Sequence, residues 1–326
     1  MLFRSYKLQT PTVYNWNLTI ERQLKPNWLT RIAYVGSRTN HLNENEQLNP
    51  AVYIPGSMLG PDARRPFQPY TSIVQATGSG NSWYNSMQLS LEKRFSNNFT
   101  VLANYTWSKS HDNMPYGTDV TSPILNAVIA KSPYTPNFKS LDTGPSDFDY
   151  THVFVVSYVW QLPAFSSASR WLRGMAGNWQ LSGITTAQSG SPIPITAGQD
   201  RSQTAIGADK GQLVNPVAYG AGACGSTAPC VNYLIPSAFA LPALGTYGNI
   251  AKGTFRGPGF LNTDLGISKR FPINERWGLQ LRAEFFNGLN RVNLNNPAAS
   301  VSGAGFGSIR SARDPRIGQV ALKVFF

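Results

Sequence analysis

The sequence has no run of 18 or more apolar residues and a mean hydropathy of -0.23, which excludes transmembrane helices. Transmembrane strands stay open, because alternating side chains cancel in any hydropathy window. Charge is scarce: Asp, Glu, Lys and Arg make up 13% of the 326 residues, with 29 glycines and 23 prolines. That composition excludes a charge-rich disordered chain and a helical bundle, and reads as turn-rich β. The first residues, Met1-Leu-Phe-Arg-Ser-Tyr-Lys, hold no apolar core and no small-residue cleavage site, so no signal peptide is read here. Acidic residues are few, 16 against 28 basic ones, for a net charge of +12. Nucleic-acid binding would need those basic residues on one surface. They are dispersed instead, in the pairs Arg64-Arg65, Lys93-Arg94 and Lys269-Arg270 and the spaced series Arg310, Arg313, Arg316. Diffuse positive charge fits anionic lipid headgroups better.

What is present is alternation. One motif occurs three times: Leu18-Thr-Ile-Glu-Arg-Gln-Leu, Leu89-Ser-Leu-Glu-Lys-Arg-Phe and Leu265-Gly-Ile-Ser-Lys-Arg-Phe. Each passes through a Pro, Asn or Ser turn and restarts at an aromatic, Trp28, Phe99 or Trp277, which makes three tight hairpins. Tyr14, Trp16, Leu18 and Ile20 share one face against Asn15, Asn17, Thr19 and Glu21. Residues 151–162 and 178–189 form a further pair. The last strand, Arg316 to Phe326, places Val320, Leu322, Val324 and Phe326 on one face, with Gln319 and Lys323 on the other. The expected fold is all-β, an antiparallel transmembrane barrel segment of about nine or ten strands.

Connection length follows a strict rhythm. The connections at about 39–82, 110–150, 190–259 and 290–314 are long, and those between them are short. A soluble sandwich has no reason to sort its loops this way, whereas outer-membrane barrels have short periplasmic turns and long extracellular loops. On that reading Trp28, Trp160, Trp179 and Trp277 fall at the periplasmic ends, and Trp83 and Trp107 at the outer ends. Amphipathic rings prefer both bilayer interfaces.

With these residues in view, the chain resembles the C-terminal barrel of TonB-dependent outer-membrane receptors, in particular the Oar-like acidobacterial type. The matching pieces are Asn104-Tyr-Thr-Trp-Ser-Lys-Ser-His-Asp, Gly177-Asn-Trp-Gln-Leu-Ser-Gly-Ile-Thr-Thr, Ser189-Gly-Ser-Pro, Arg282-Ala-Glu-Phe-Phe-Asn-Gly-Leu-Asn and the terminal Phe326. The resemblance implies a barrel of about 22 strands, plugged by an N-terminal domain. It also implies transport of a solute such as a glycan, peptide or chelated metal, energised through TonB. Residues 1–326 are expected to be one domain, a truncated C-terminal part without plug or TonB box. Counting back from a periplasmic Phe326, the strand from Tyr14 to Leu24 runs downward, which puts residues 1–11 outside the cell. A complete barrel of even strand number begins and ends on one side. The implied partners are outer-membrane lipid or lipopolysaccharide, the barrel-assembly machinery that reads the closing strand, and TonB only through regions beyond these residues. An independent porin or adhesin, and a secreted soluble β-protein, are the competing readings.

Candidate chemistry is thin. Arg282 and Glu284 lie two apart on the polar face and read as a lumen-facing ion pair rather than a catalytic couple. Asn287 and Asn290 shape the strand end. Cys224 and Cys230 sit in a small-residue loop; a disulfide is favoured, two free thiols come next, and zinc comes last because no second ligand pair accompanies them. Asp147 with Asp149, and Glu44 with Glu46, lack calcium-loop spacing and read as solvated loop acids. Ser189-Gly-Ser191 is followed by no helix and is not a nucleophile elbow. No cofactor and no enzymatic activity are expected.

Overall fold

The computed structural model describes residues 2–4, 8–114, 141–163, 169, 171, 174–175, 177–207, 209–220, 222–224, 230–273 and 276–326. Nine long strands run through it. They are β1 (Thr12–Lys25), β2 (Trp28–Gln47), β3 (Val74–Ser96), β4 (Phe99–Asp112), β5 (His152–Gln161), β6 (Trp179–Gln188), β7 (Phe260–Pro272), β8 (Gly278–Phe286) and β9 (Ile317–Phe325). They pair antiparallel in sequence order, each with its chain neighbours. Among the described residues neither β1 nor β9 has a strand on its other side, so the wall is an open arc of a barrel. No described helix is long and apolar enough to cross a membrane.

The tight turns follow from their residues. β1 and β2 join over Pro26-Asn27, and β3 and β4 over Asn97-Asn98. Asn27, Asn97 and Asn98 have φ of 67°, 51° and 62°. Asparagine tolerates this left-handed region, and paired positive φ matches the twist of the strands it joins.

Two strands outrun the expected boundaries. β2 has 20 residues and β3 has 23, against about 9–11 needed to cross a bilayer. Their hairpin continues from Asn40 to Gln47 against Val74 to Asn81, through bulges near Leu42 where His41 takes a φ of 61°. The connection expected at 39–82 therefore shrinks to 48–73. Apart from Leu42, residues 40–47 are polar on both faces, so no alternation marks them as strand. Leu2–Arg4 add a short parallel ladder to Val74–Ala76 at this outer extension.

The hydrophobic core lies outside the wall. Ile193, Ile195, Leu234, Phe239, Phe255 and Phe306 pack together, all from the connections after β6 and β8. Phe239 sits 5.2 Å from Phe255 and 5.0 Å from Phe306, ring to ring. Val231–Asn232 pairs with Ser308–Ile309 of the last connection, and Val231 also bridges Ala223 of its own, so it adds no strand to the wall.

Candidate functional site

Register turns the alternation of nine strands into one continuous face. Ile20, Ile32, Leu89, Tyr105, Phe154, Ala187 and Leu261 stand side by side across seven strands. Nearer the short turns, Phe99, Trp160, Leu181, Ile267, Ala283 and Val320 form a second row. Many of these side chains lie open: Leu18 is 65% exposed, Ile20 63%, Val320 73%. An apolar surface of this extent needs a hydrocarbon neighbour.

Two lysines on that face are folded back at its lower edge. Lys93 Nζ donates to the carbonyls of Ser96 and Phe99, at 2.7 Å each. Lys269 Nζ donates to the Met175 carbonyl at 2.9 Å and lies 5.2 Å from the Trp179 ring. Both charges are thereby satisfied while the stems cover apolar wall.

The opposite face is polar. Arg31 donates to Glu21 at 2.7 Å, and Arg282 pairs with Glu284, whose second oxygen accepts from Gln319 of β9. Val320, Leu322 and Val324 stand against Ala283, Leu281 and Leu279, and the Phe326 ring is 5.5 Å from Trp277. Cys224 and Cys230 are joined as a disulfide, Cα atoms 5.5 Å apart. Asn287 is buried and donates to the carbonyls of Arg291 and Asp314.

Above the wall the connections are sewn together by charges. Lys252 Nζ is buried between Asp112, at 2.6 Å, and Asp147, at 3.3 Å, and donates to the Met114 carbonyl. Arg256 pairs with buried Asp149 and also donates to the carbonyl of Gly190, and Lys210 meets Asp142 at 2.6 Å. The reading of Asp147, Asp149, Glu44 and Glu46 as solvated acids is therefore corrected. Asp149 and Glu44 are buried, and Glu44 and Glu46 both accept from the Ser79 hydroxyl. Basic residues from a distant connection make burial of Asp149 possible and hold the partly exposed Asp147.

The first long connection has its own organiser, which no periodicity announces. Asn49 is fully buried; its side-chain amide donates to the carbonyls of Phe67, Tyr70 and Thr71 and accepts from the Phe67 N–H. Arg64 and Arg65 turn inward to the carbonyls of Val52, Leu59 and Asn49. Where this connection meets the one after β6, a cavity of about 350 Å³ is lined by Tyr53, Phe67, Ser202, Thr204 and Tyr247. Burial pushes the Tyr247 hydroxyl up to about 12, with Asp209 and Asp200 adding to the shift. Burial also raises Asp209, against hydrogen bonds from Ser202. Among the described residues no group of three His, Cys, Asp or Glu is placed to hold a metal.

A lipid-facing apolar wall, a polar inner face, short turns at one end and a folded cap at the other define an outer-membrane β-barrel. The chain belongs to the outer membrane beta barrel domain family, which matches residues 3–319. Its location is the outer membrane, with the short turns periplasmic and the long connections outside. Among solved structures it is similar to the outer membrane transporter YddB from Escherichia coli, with a TM-score of 0.52 and 12% identity over 99% of this chain and 33% of that one. FpvA of P. aeruginosa, solved with heterologous pyoverdines, aligns with a TM-score of 0.47 and 11% identity over 98% of this chain and 27% of that one. The chain thus spans between about a quarter and a third of the length of these structures. No curated protein matches the sequence.

Proposed function

We propose that this chain is the C-terminal barrel portion of a TonB-dependent transporter of the Oar-like acidobacterial type, carrying a glycan, peptide or chelated metal across the outer membrane. The observation that carries the reading is the pair of unpaired edges. β1 and β9 are exposed along almost their whole lengths and end the sheet on either side. In hydrocarbon each unpaired backbone group costs several kcal/mol, which further strands of a longer polypeptide would relieve. A barrel of about 22 strands would supply about 13. Its lumen would hold the plug, and TonB would engage that part. Closing of the seam by the assembly machinery would use Val320, Leu322, Val324 and Phe326, and the Cys224–Cys230 bond suits an oxidising exterior.

An antibody against residues 190–259 tests this on isolated outer membranes. A polypeptide about three times the 35.7 kDa of this chain, with plug-coding sequence upstream of residue 1, is the expected result. A band at 35.7 kDa would overturn the reading and favour a small independent barrel.

A further inference from the structure

The lipid-facing wall has a groove at its outer edge. Its floor is Tyr105, Phe154, Ala187 and Leu261, direct cross-strand neighbours on β4, β5, β6 and β7. Ala187 is the small member of the row, so the surface dips between Phe154 and Leu261. Arg291, Val292 and Leu294 of the last connection border the dip, an open groove of about 480 Å³. β5 and β6 have 10 residues each, about the length of one tilted crossing. The groove lies at their outer ends, beside His152 and Ser189. Its floor is therefore in hydrocarbon and its lip is at headgroup level.

The two levels differ in chemistry. The floor offers aromatic and aliphatic surface. The lip carries Arg291, exposed, whose guanidinium has no hydrogen bond or ion pair among the described residues. His152 lines the same groove, with its Nδ1 hydrogen-bonded to the Tyr105 hydroxyl at 2.8 Å. No acidic residue lines the space. Val292 is 72% exposed at the same lip, an apolar side chain suited to the upper acyl region rather than to water.

We propose that this groove binds lipid A, the phosphorylated, multiply acylated glycolipid of the outer leaflet. One acyl chain lies along the Tyr105-to-Leu261 floor, and a phosphate meets Arg291, whose planar fork suits phosphate oxygens. The assignment rests on the orientation given above, with the long connections outside.

Native mass spectrometry of the membrane-extracted protein, titrated with purified lipid A, tests it. Arg291→Ala and Ala187→Phe should each weaken lipid A binding about tenfold, the scale of one charge-assisted contact or one filled groove. With dephosphorylated lipid A, Ala187→Phe should still weaken binding and Arg291→Ala should not. Unchanged affinity in both variants, or equal affinity and sensitivity with phosphatidylglycerol, would overturn the assignment. Labelling of Arg291→Cys by an impermeant thiol reagent on intact cells reads orientation separately. Absence of labelling sinks the orientation itself, whereas labelling with unchanged lipid A affinity sinks only the groove.

Discussion

The wall and the cap of this protein solve the problem of apolar surface in opposite ways. The wall turns Leu18, Ile20, Val320 and Leu322 outward and leaves them uncovered by protein. The cap turns Ile193, Leu234, Phe239 and Phe306 inward, and leaves Leu234 with no exposed surface at all. One region borrows its core from the bilayer and is held by backbone ladders. The other carries its own core and is fastened to the rim by buried ions. Water, not sequence composition, separates them: the same Leu, Ile and Phe are right outside in lipid and wrong outside in solvent.

If the regions are independent, damage to one should leave the other standing. Lys252→Met removes the cation that buried Asp112 shares with partly exposed Asp147. It should loosen the cap by about 3–5 kcal/mol. Limited proteolysis within 190–259 should speed up while heat-modifiable migration of the wall persists; loss of both together would break the comparison. Phe239→Ala removes the ring that touches Phe255 and Phe306, at about 3–5 kcal/mol, with the same proteolytic readout. Leu322→Arg attacks the other side. A lipid-facing arginine near mid-bilayer costs about 2–4 kcal/mol, so the inserted fraction should fall while Lys323→Arg is tolerated. Equal tolerance of both would mean that the outward face is misassigned.

Smaller effects sharpen the boundary. Burial raises the Asp209 carboxyl above its ordinary value, so its contribution favours the folded cap below the unfolded value and is lost as pH rises through the raised one. Protease resistance of the cap should therefore increase as pH falls from neutral towards the carboxylate range, and Asp209→Asn should flatten that rise. Glu21→Gln should change the stability measured by urea unfolding least, by less than about 1 kcal/mol, because Glu21 and Arg31 are 44% and 51% exposed.

The wall was readable from the residues because period two and tight turns are local signals. Tyr14 to Leu24 was expected as strand and Thr12–Lys25 is found; the terminal strand is likewise Ile317–Phe325. The outward rows need only that alternation plus hairpin registers. The cap was not readable, because its contacts join segments far apart. Lys252 and Asp112 are 140 residues apart, and nothing in either neighbourhood announces the other. Arg64 and Arg65 looked like surface charge, yet backbone carbonyls of their own connection take them in. The extension of β2 through Asn40 to Gln47 was missed for a related reason: a hairpin held by backbone bonds above the membrane needs no apolar face.

The core that joins Ile193 to Phe306 also sets an order of events. Every ladder in the wall links consecutive strands, and those across the tight turns need only local contacts. The cap cannot, since Phe306 comes after β8 and must return to residues that precede β7. Its two halves are joined through β7 and β8, so the long loop it closes predicts that it forms after them. A protease-resistant cap is thus a late checkpoint, reporting from outside the cell that the strands beneath it have been laid correctly.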